Sequence, residues 1–138
     1  MKISFSTLAC PDYSWVDIYS MAKDLGFGGI EIRGLGQDIF AVHARPFTDE
    51  RLPKTLEKLR SLNLEIPCLA SGCGLKYKED FDKNISEVTQ YIVLAKKLGT
   101  TYIRVLGDRY PEPQGEVDDD FVAEALKLLG TIAQGFGV

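Results

Sequence analysis

Glu31 and Arg104 occupy matching places in two copies of one short pattern, and a carboxylate and a guanidinium so placed could grip a polar substrate. Glu31 lies in Gly29-Ile-Glu-Ile-Arg33 and Arg104 in Tyr102-Ile-Arg-Val-Leu106. Aligning the glycines that precede them, Gly26 and Gly99, lays Ile30 over Ile103, Ile32 over Val105 and Glu31 over Arg104. Glu31 and Arg33 could contact hydroxyls or a phosphate, and the Arg104 fork suits a phosphate or carboxylate. The plainer reading is an ion pair between Glu31 and Arg104 that fills an internal space.

His43 is the only histidine. A metal there would need several convergent ligands, and none is spaced for it, so a polar residue lining a substrate cleft is the better expectation. Ser71-Gly-Cys-Gly74 follows a third apolar run; Ser71 joins Glu31, Arg33, His43 and Arg104 as a substrate-side candidate. Cys73 as a nucleophile would need an activating base, and only His43 could supply one, so a small rim residue is expected instead. Gly34-Leu-Gly36 begins like a dinucleotide fingerprint, but Ile39 stands where the third glycine belongs. Asp118-Asp-Asp120 lacks the spaced oxygens of a calcium loop and reads as a helix start.

The elements that carry these residues repeat. Ala22-Lys-Asp-Leu-Gly26, Leu59-Arg-Ser-Leu-Asn63, Ala95-Lys-Lys-Leu-Gly99 and Ala133-Gln-Gly-Phe-Gly137 are each a last helical turn followed by a residue that tolerates the left-handed conformation. They recur every 36 to 38 residues. Helix one begins at Ser14 with Asp17 as a capping box. Helix two is predicted from about Glu50 to Leu62, with Pro53 in its first turn. Helix three carries the stripe Ile85, Val88, Ile92, Ala95 and Leu98; helix four follows the aspartates and buries Val122, Ala125, Leu129 and Ile132.

Strands precede the helices: Lys2–Leu8, Gly29–Arg33, Glu65–Ala70 and Tyr102–Leu106. Strand and helix alternating four times predict an α/β fold with a parallel sheet and right-handed crossovers. The long loops, 34–49, 72–80 and 107–117, all fall at the carboxyl ends of the strands, where such folds build sites. Pro111-Glu-Pro-Gln-Gly115 reads as a loop over that cleft. Charges at Glu31 and Arg104 would be costly in an open sheet covered on both faces, whereas a barrel lets alternate strands share an inner layer. Eight such units come to roughly 300 residues, within the range of a (β/α)8 barrel. The chain thus reads as four βα units, about half of a TIM-type barrel. A fifth strand is expected after Gly137, and the sequence given ends at Val138.

Composition narrows the partners. A net charge of −4, a pI near 5.0 and no basic run disfavour nucleic acid. No apolar stretch approaches membrane-spanning length, and the opening residues read as a strand rather than a signal peptide. Three cysteines without metal or disulfide spacing predict reduced thiols in the cytoplasm.

Met1-Lys-Ile-Ser-Phe-Ser-Thr-Leu-Ala9, Ala22 through Arg33 and Ala95 through Gly107 resemble the xylose isomerase-like barrels, closest to the sugar phosphate isomerase/epimerase branch. The resemblance runs over residues 1–138 as the N-terminal half of a family member. It implies a divalent metal held by Glu, Asp, His and Glu from strands five to eight, with two glutamates moving a proton beside a carbonyl or hydroxyl carbon. It therefore implies a sugar or sugar phosphate as partner, with no catalytic residue and no metal in this chain. A polyol dehydratase or an endonuclease IV-like phosphodiesterase shares the fold, although one histidine and an acidic chain argue against the latter. The rival expectation is a non-catalytic half-barrel or a truncation product. Its open strand edges and an apolar inner face would drive self-association into a homo-oligomer.

Overall fold

The helix stops act as the sequence predicts. Gly26, Asn63, Gly99 and Gly137 all take positive φ, between 54° and 79°. The computed structural model describes residues 1–107 and 117–138, so the loop reading of Pro111-Glu-Pro-Gln-Gly115 lies outside the described residues. Strands and helices alternate: β1 Ser4–Ser6, α1 Trp15–Asp24, β2 Gly29–Glu31, α2 Leu52–Ser61, β3 Cys68–Gly74, α3 Phe81–Leu98, β4 Tyr102–Leu106 and α4 Asp119–Phe136.

Local chemistry sets the helix starts. The Ser14 hydroxyl accepts from the Asp17 amide while the Asp17 carboxylate accepts from the Ser14 amide, a complete capping box. Asp118 caps α4, accepting from the Phe121 amide at 3.0 Å, and takes the Lys78 ammonium at 2.5 Å. Those two donors hold its carboxyl below the usual range, as a helix start rather than a cation loop requires.

β1 pairs in parallel with β2, and β3 with β4. The two pairs are joined by backbone bonds from Ile30 N to Glu65 O, Ile32 N to Cys68 O and Ala70 N to Ile32 O, at 2.9, 3.1 and 2.8 Å. The result is one parallel run in the order β1, β2, β3, β4, with all the helices on one side: half of a (β/α)8 barrel.

Strand period two then sorts the side chains. Phe5, Ile30, Ile32, Leu69, Ile103 and Val105 turn to the helices and pack with Ile18, Ala22, Leu59, Val88, Ile92 and Leu129. In the pairing register, Ser6 stands beside Glu31, and Ala70 beside Arg104, on the other face. That face is mixed and not wholly apolar as expected: Ser6, Glu31 and Arg104 share it with Cys68, Ala70 and Leu106, while Ile30, Ile32, Ile103 and Val105 go to the helix layer. Tyr91 of α3 is fully buried, and its hydroxyl accepts from the Ala41 amide, tying the long loop after β2 to α3.

β3 departs from expectation at both ends. Pro67 lacks an amide proton, and the strand proper starts at Cys68. It then runs through Ser71-Gly-Cys-Gly74 to Gly74, with a register irregularity after Ala70. Cys73 is therefore a strand residue and not a loop residue beyond the strand.

Gly99→Ala is expected to cost about 1–2 kcal/mol, because its φ of 72° penalises any Cβ although the space around it is open. Asn63→Gly, at a φ of 54°, is expected to change stability by less than about 1 kcal/mol. Urea midpoints of the two variants check both.

Candidate functional site

Arg33 is the best-positioned of the charged candidates. The Thr7 hydroxyl, just past β1, accepts from the Arg33 amide at 2.9 Å and donates to the Gly34 carbonyl at 2.8 Å. Thr7 is buried, so the end of β2 is clamped from inside. The Arg33 guanidinium lies across Gly72 of β3, its Nη2 3.0 Å from where a Cβ would stand. A Cβ there would crowd the guanidinium tip, which would have to shift by a few tenths of an ångström.

Glu31 is half-buried and Arg104 exposed, both on the face turned away from the helices. Among the described residues no ion pair joins them. β3 stands between their strands, so neighbours two strands apart are about 9–10 Å away along the sheet. Cys68 occupies the gap: its thiol pKa is raised by burial and by the nearby Glu31 carboxylate, against a lowering by Arg104. The expected internal ion pair is replaced by three separate polar groups facing the barrel interior.

Ser71 does not reach that face. It is 0% exposed, its hydroxyl donates to the Arg104 carbonyl at 2.8 Å, and it accepts from the Cys73 amide. Being one position from Ala70, it points to the helix layer, where it secures the backbone that carries Arg104. His43 is exposed in the short turn Ala41–His43, its ring edge-on to Phe40 at 4.6 Å. That turn packs on α3, and no described interaction links His43 to Glu31, Arg33 or Arg104.

Sequence reasoning missed Thr7, Gly72, Asn84 and Glu87. A hollow of about 600 Å³ at the carboxyl end of β3 is lined by Gly72, Cys73, Lys83, Asn84, Glu87 and Leu106, among others. Asn84 Nδ2 donates to the Gly74 carbonyl at 2.9 Å. Burial pushes the Cys73 thiol up to about 12; the Glu87 carboxylate beside it adds to the shift, and the Ser71 hydroxyl opposes it. A thiol so protonated is a packing group, not a nucleophile. The available signal was the polar series Asn84, Glu87, Tyr91 running beside the apolar stripe of α3.

Among the described residues, no three His, Cys, Asp or Glu side chains converge as metal ligands. Two guanidinium groups and one carboxylate, those of Arg33, Arg104 and Glu31, lie on the strand face turned from the helices.

The sequence pattern of the Xylose isomerase-like TIM barrel family matches residues 19–138. The chain belongs to that family. No curated protein matches it in sequence. Among solved structures it resembles the probable 3-DHS dehydratase AsbF of Bacillus anthracis, with a TM-score of 0.77 at 23% identity over 100% of this chain and 50% of that one. It also resembles the IolI protein with a bound zinc atom, with a TM-score of 0.72 at 17% identity over 100% and 49%. The apo 3-keto-D-glucoside 4-epimerase YcjR of E. coli gives a TM-score of 0.69 at 16% identity over 100% and 54%. The chain thus spans about half the length of these structures. At such identities the likeness shows the fold. No helix among the described residues is long and apolar enough to cross a membrane.

Alkylation of Cys73 at pH 8 is expected to be at least about a hundredfold slower than that of a free thiol, and Glu87→Gln to speed it by lowering the thiol pKa. Mass-spectrometric labelling rates across pH check both. Because the folded-state pKa is raised above the ordinary 9.0, the protonated thiol's contribution to stability is intact below pH 9 and is lost as pH rises toward 12. Cys73→Ala should flatten that alkaline loss in denaturant titrations.

Proposed function

We propose that residues 1–138 form the N-terminal, substrate-orienting half of a sugar or sugar phosphate isomerase or epimerase barrel. The observation that carries this reading is the face turned from the helices. A barrel of this type is ordinarily filled by layers of Val, Ile and Leu. Here that face carries Glu31, Arg33 and Arg104, with Arg33 clamped by Thr7 and seated over Gly72.

Two guanidinium forks suit the oxygens of a phosphate or carboxylate, and Glu31 suits hydroxyl protons. These groups bind and orient; the acid and base that move a proton beside the carbonyl belong, on this reading, to the complementary half. The IolI structure that the chain resembles holds a zinc atom. When bound, such a metal would polarise the carbonyl and a neighbouring hydroxyl. Its ligands are likewise assigned to the complementary half. Dehydration of a cyclic polyol is the second reading, supported by the likeness to the probable dehydratase. The free cysteines Cys10, Cys68 and Cys73 support a cytoplasmic placement.

The test is titration of the folded chain with ketoses, keto-glycosides and cyclic polyols, each neutral and phosphorylated or carboxylated, followed by NMR. Anionic members should bind more tightly than their neutral counterparts. Arg33→Met should weaken them by about tenfold or more, the loss of a charge-assisted hydrogen-bond pair. No binding by any member, or binding indifferent to Arg33, overturns the reading.

A further inference from the structure

Four of the 16 lysines and arginines of this acidic chain stand around one groove of about 390 Å³ between α1 and α2. Trp15 and Tyr19 of α1 line one wall, and Arg51, Lys54 and Lys58 of the α2 segment line the other. Arg45, in the turn Arg45–Phe47, adds the fourth charge. No Asp or Glu lines the groove. Three other hollows that carry charge hold both signs: Arg60 with Glu65, Lys83 with Glu87, and Lys97 with Asp49.

Helical spacing gathers these residues. Trp15 and Tyr19 are four apart, and Arg51, Lys54 and Lys58 follow at three and four, so each set falls on one face. The carboxylates of the same stretch are engaged elsewhere or stand at the margin. Asp49 takes the Lys97 ammonium at 2.6 Å, and Glu50 lies 3.7 Å from Arg51 Nε. Among the described residues, Arg45, Lys54 and Lys58 form no ion pair. Like charges so spaced on a helix repel, and an anionic occupant would relieve that repulsion.

The walls are held in place. Trp15 packs edge-on against Tyr19 and against Phe47, with ring centroids 5.7 Å apart in each pair. Buried Thr55 donates its hydroxyl to the Pro46 carbonyl at 2.7 Å, tying α2 to the turn. All the lining residues fall between positions 15 and 58, in two neighbouring βα units whose strands pair with each other. The groove therefore does not depend on an unpaired strand edge.

We infer that this groove takes an extended acidic segment of a partner protein, its carboxylates at alternate positions toward α2 and its apolar side chains toward Trp15. Charge complementarity selects an anion, although the chain's net charge of −4 would by itself repel one. Spacing selects an extended segment. Lys54 and Lys58 are about 6 Å apart along the helix axis, against about 6.6 Å between same-side residues of a strand. A stacked nucleobase is disfavoured, because the Lys58 ammonium lies over the Tyr19 ring, 5.8 Å from its centroid. Trp, Tyr and Arg are also the side chains that most often anchor protein interfaces. The groove lies in the helix layer, apart from the face that carries Glu31 and Arg104, and the inference does not rest on the proposed activity.

Trp15 is the only tryptophan, so its fluorescence reports the groove directly. The probe is a seven-residue peptide alternating Glu and Leu, titrated beside a Gln/Leu peptide, inorganic triphosphate and adenosine triphosphate. The Glu/Leu peptide should shift the Trp15 emission saturably and bind about tenfold or more tighter than the Gln/Leu peptide. Joint replacement Lys54→Gln and Lys58→Gln should weaken it about fivefold or more, the loss of two exposed ion pairs. Added salt should weaken binding to the parent protein. Lys127→Gln, exposed on α4, should leave it unchanged. Circular dichroism checks that each variant keeps its fold. No Trp15 response, equal binding of the two peptides, equal effects of the Lys54/Lys58 and Lys127 replacements, or tighter binding of either triphosphate than of the peptide overturns the inference. A Trp15 shift on dilution without peptide would place a second copy in the groove and overturn it as well.

Discussion

Four backbone hydrogen bonds between the β2 and β3 segments decide most of what this molecule can be. They run from Glu65 N to Gly28 O, Ile30 N to Glu65 O, Ile32 N to Cys68 O and Ala70 N to Ile32 O, and they join two separate strand pairs into one sheet. They also set the register. A slip of one residue would turn Ile30 and Ile32 outward and bring Glu31 and Arg33 into the helix layer, an exchange of buried methyl groups for buried charge. The helix layer, the mixed inner face and the open edges follow from that choice.

The charged residues then depend on a second layer of neutral, mostly buried ones. Thr7 holds the Arg33 backbone, Gly72 leaves room for its guanidinium, and Ser71 bonds the carbonyl of Arg104. Thr7 and Gly72 would not draw attention on their own, and Ser71 draws it for a different role. Each acts because the strand that holds it lies beside the strand of a charged residue, and a hydroxyl inside the fold has few partners other than backbone. The same logic disarms Cys73: burial and the Glu87 carboxylate keep its proton on, and the thiol serves packing.

A half-barrel puts unusual weight on its ends. In a closed (β/α)8 barrel every strand has two neighbours and every helix covers two strands. Here the first and last units lack that cover, and they carry most of the exposed apolar surface among the described residues. A face that carries Glu31, Arg33 and Arg104 can meet water and a polar ligand.

The helix ends, the capping box at Ser14, the cap at Asp118, the order of elements and the half-barrel class were legible in the sequence. These follow from local rules: period 3.6, left-handed stops, and hydroxyl or carboxylate caps within three residues. The alternation that puts Glu31 opposite Ile30 and Ile32 was legible for the same reason. What the chain could not announce by itself was which side chains meet across strands. Glu31 and Arg104 looked like partners because their strands repeat, yet β3 and Cys68 lie between them. Ser71 looked available and is buried; Gly72 looked incidental and is the slot for Arg33. Those outcomes depend on register, on the irregularity after Ala70 and on the packing of α3 behind β3. These cross-strand contacts join residues 33 to 39 positions apart, and only the folded sheet brings them together.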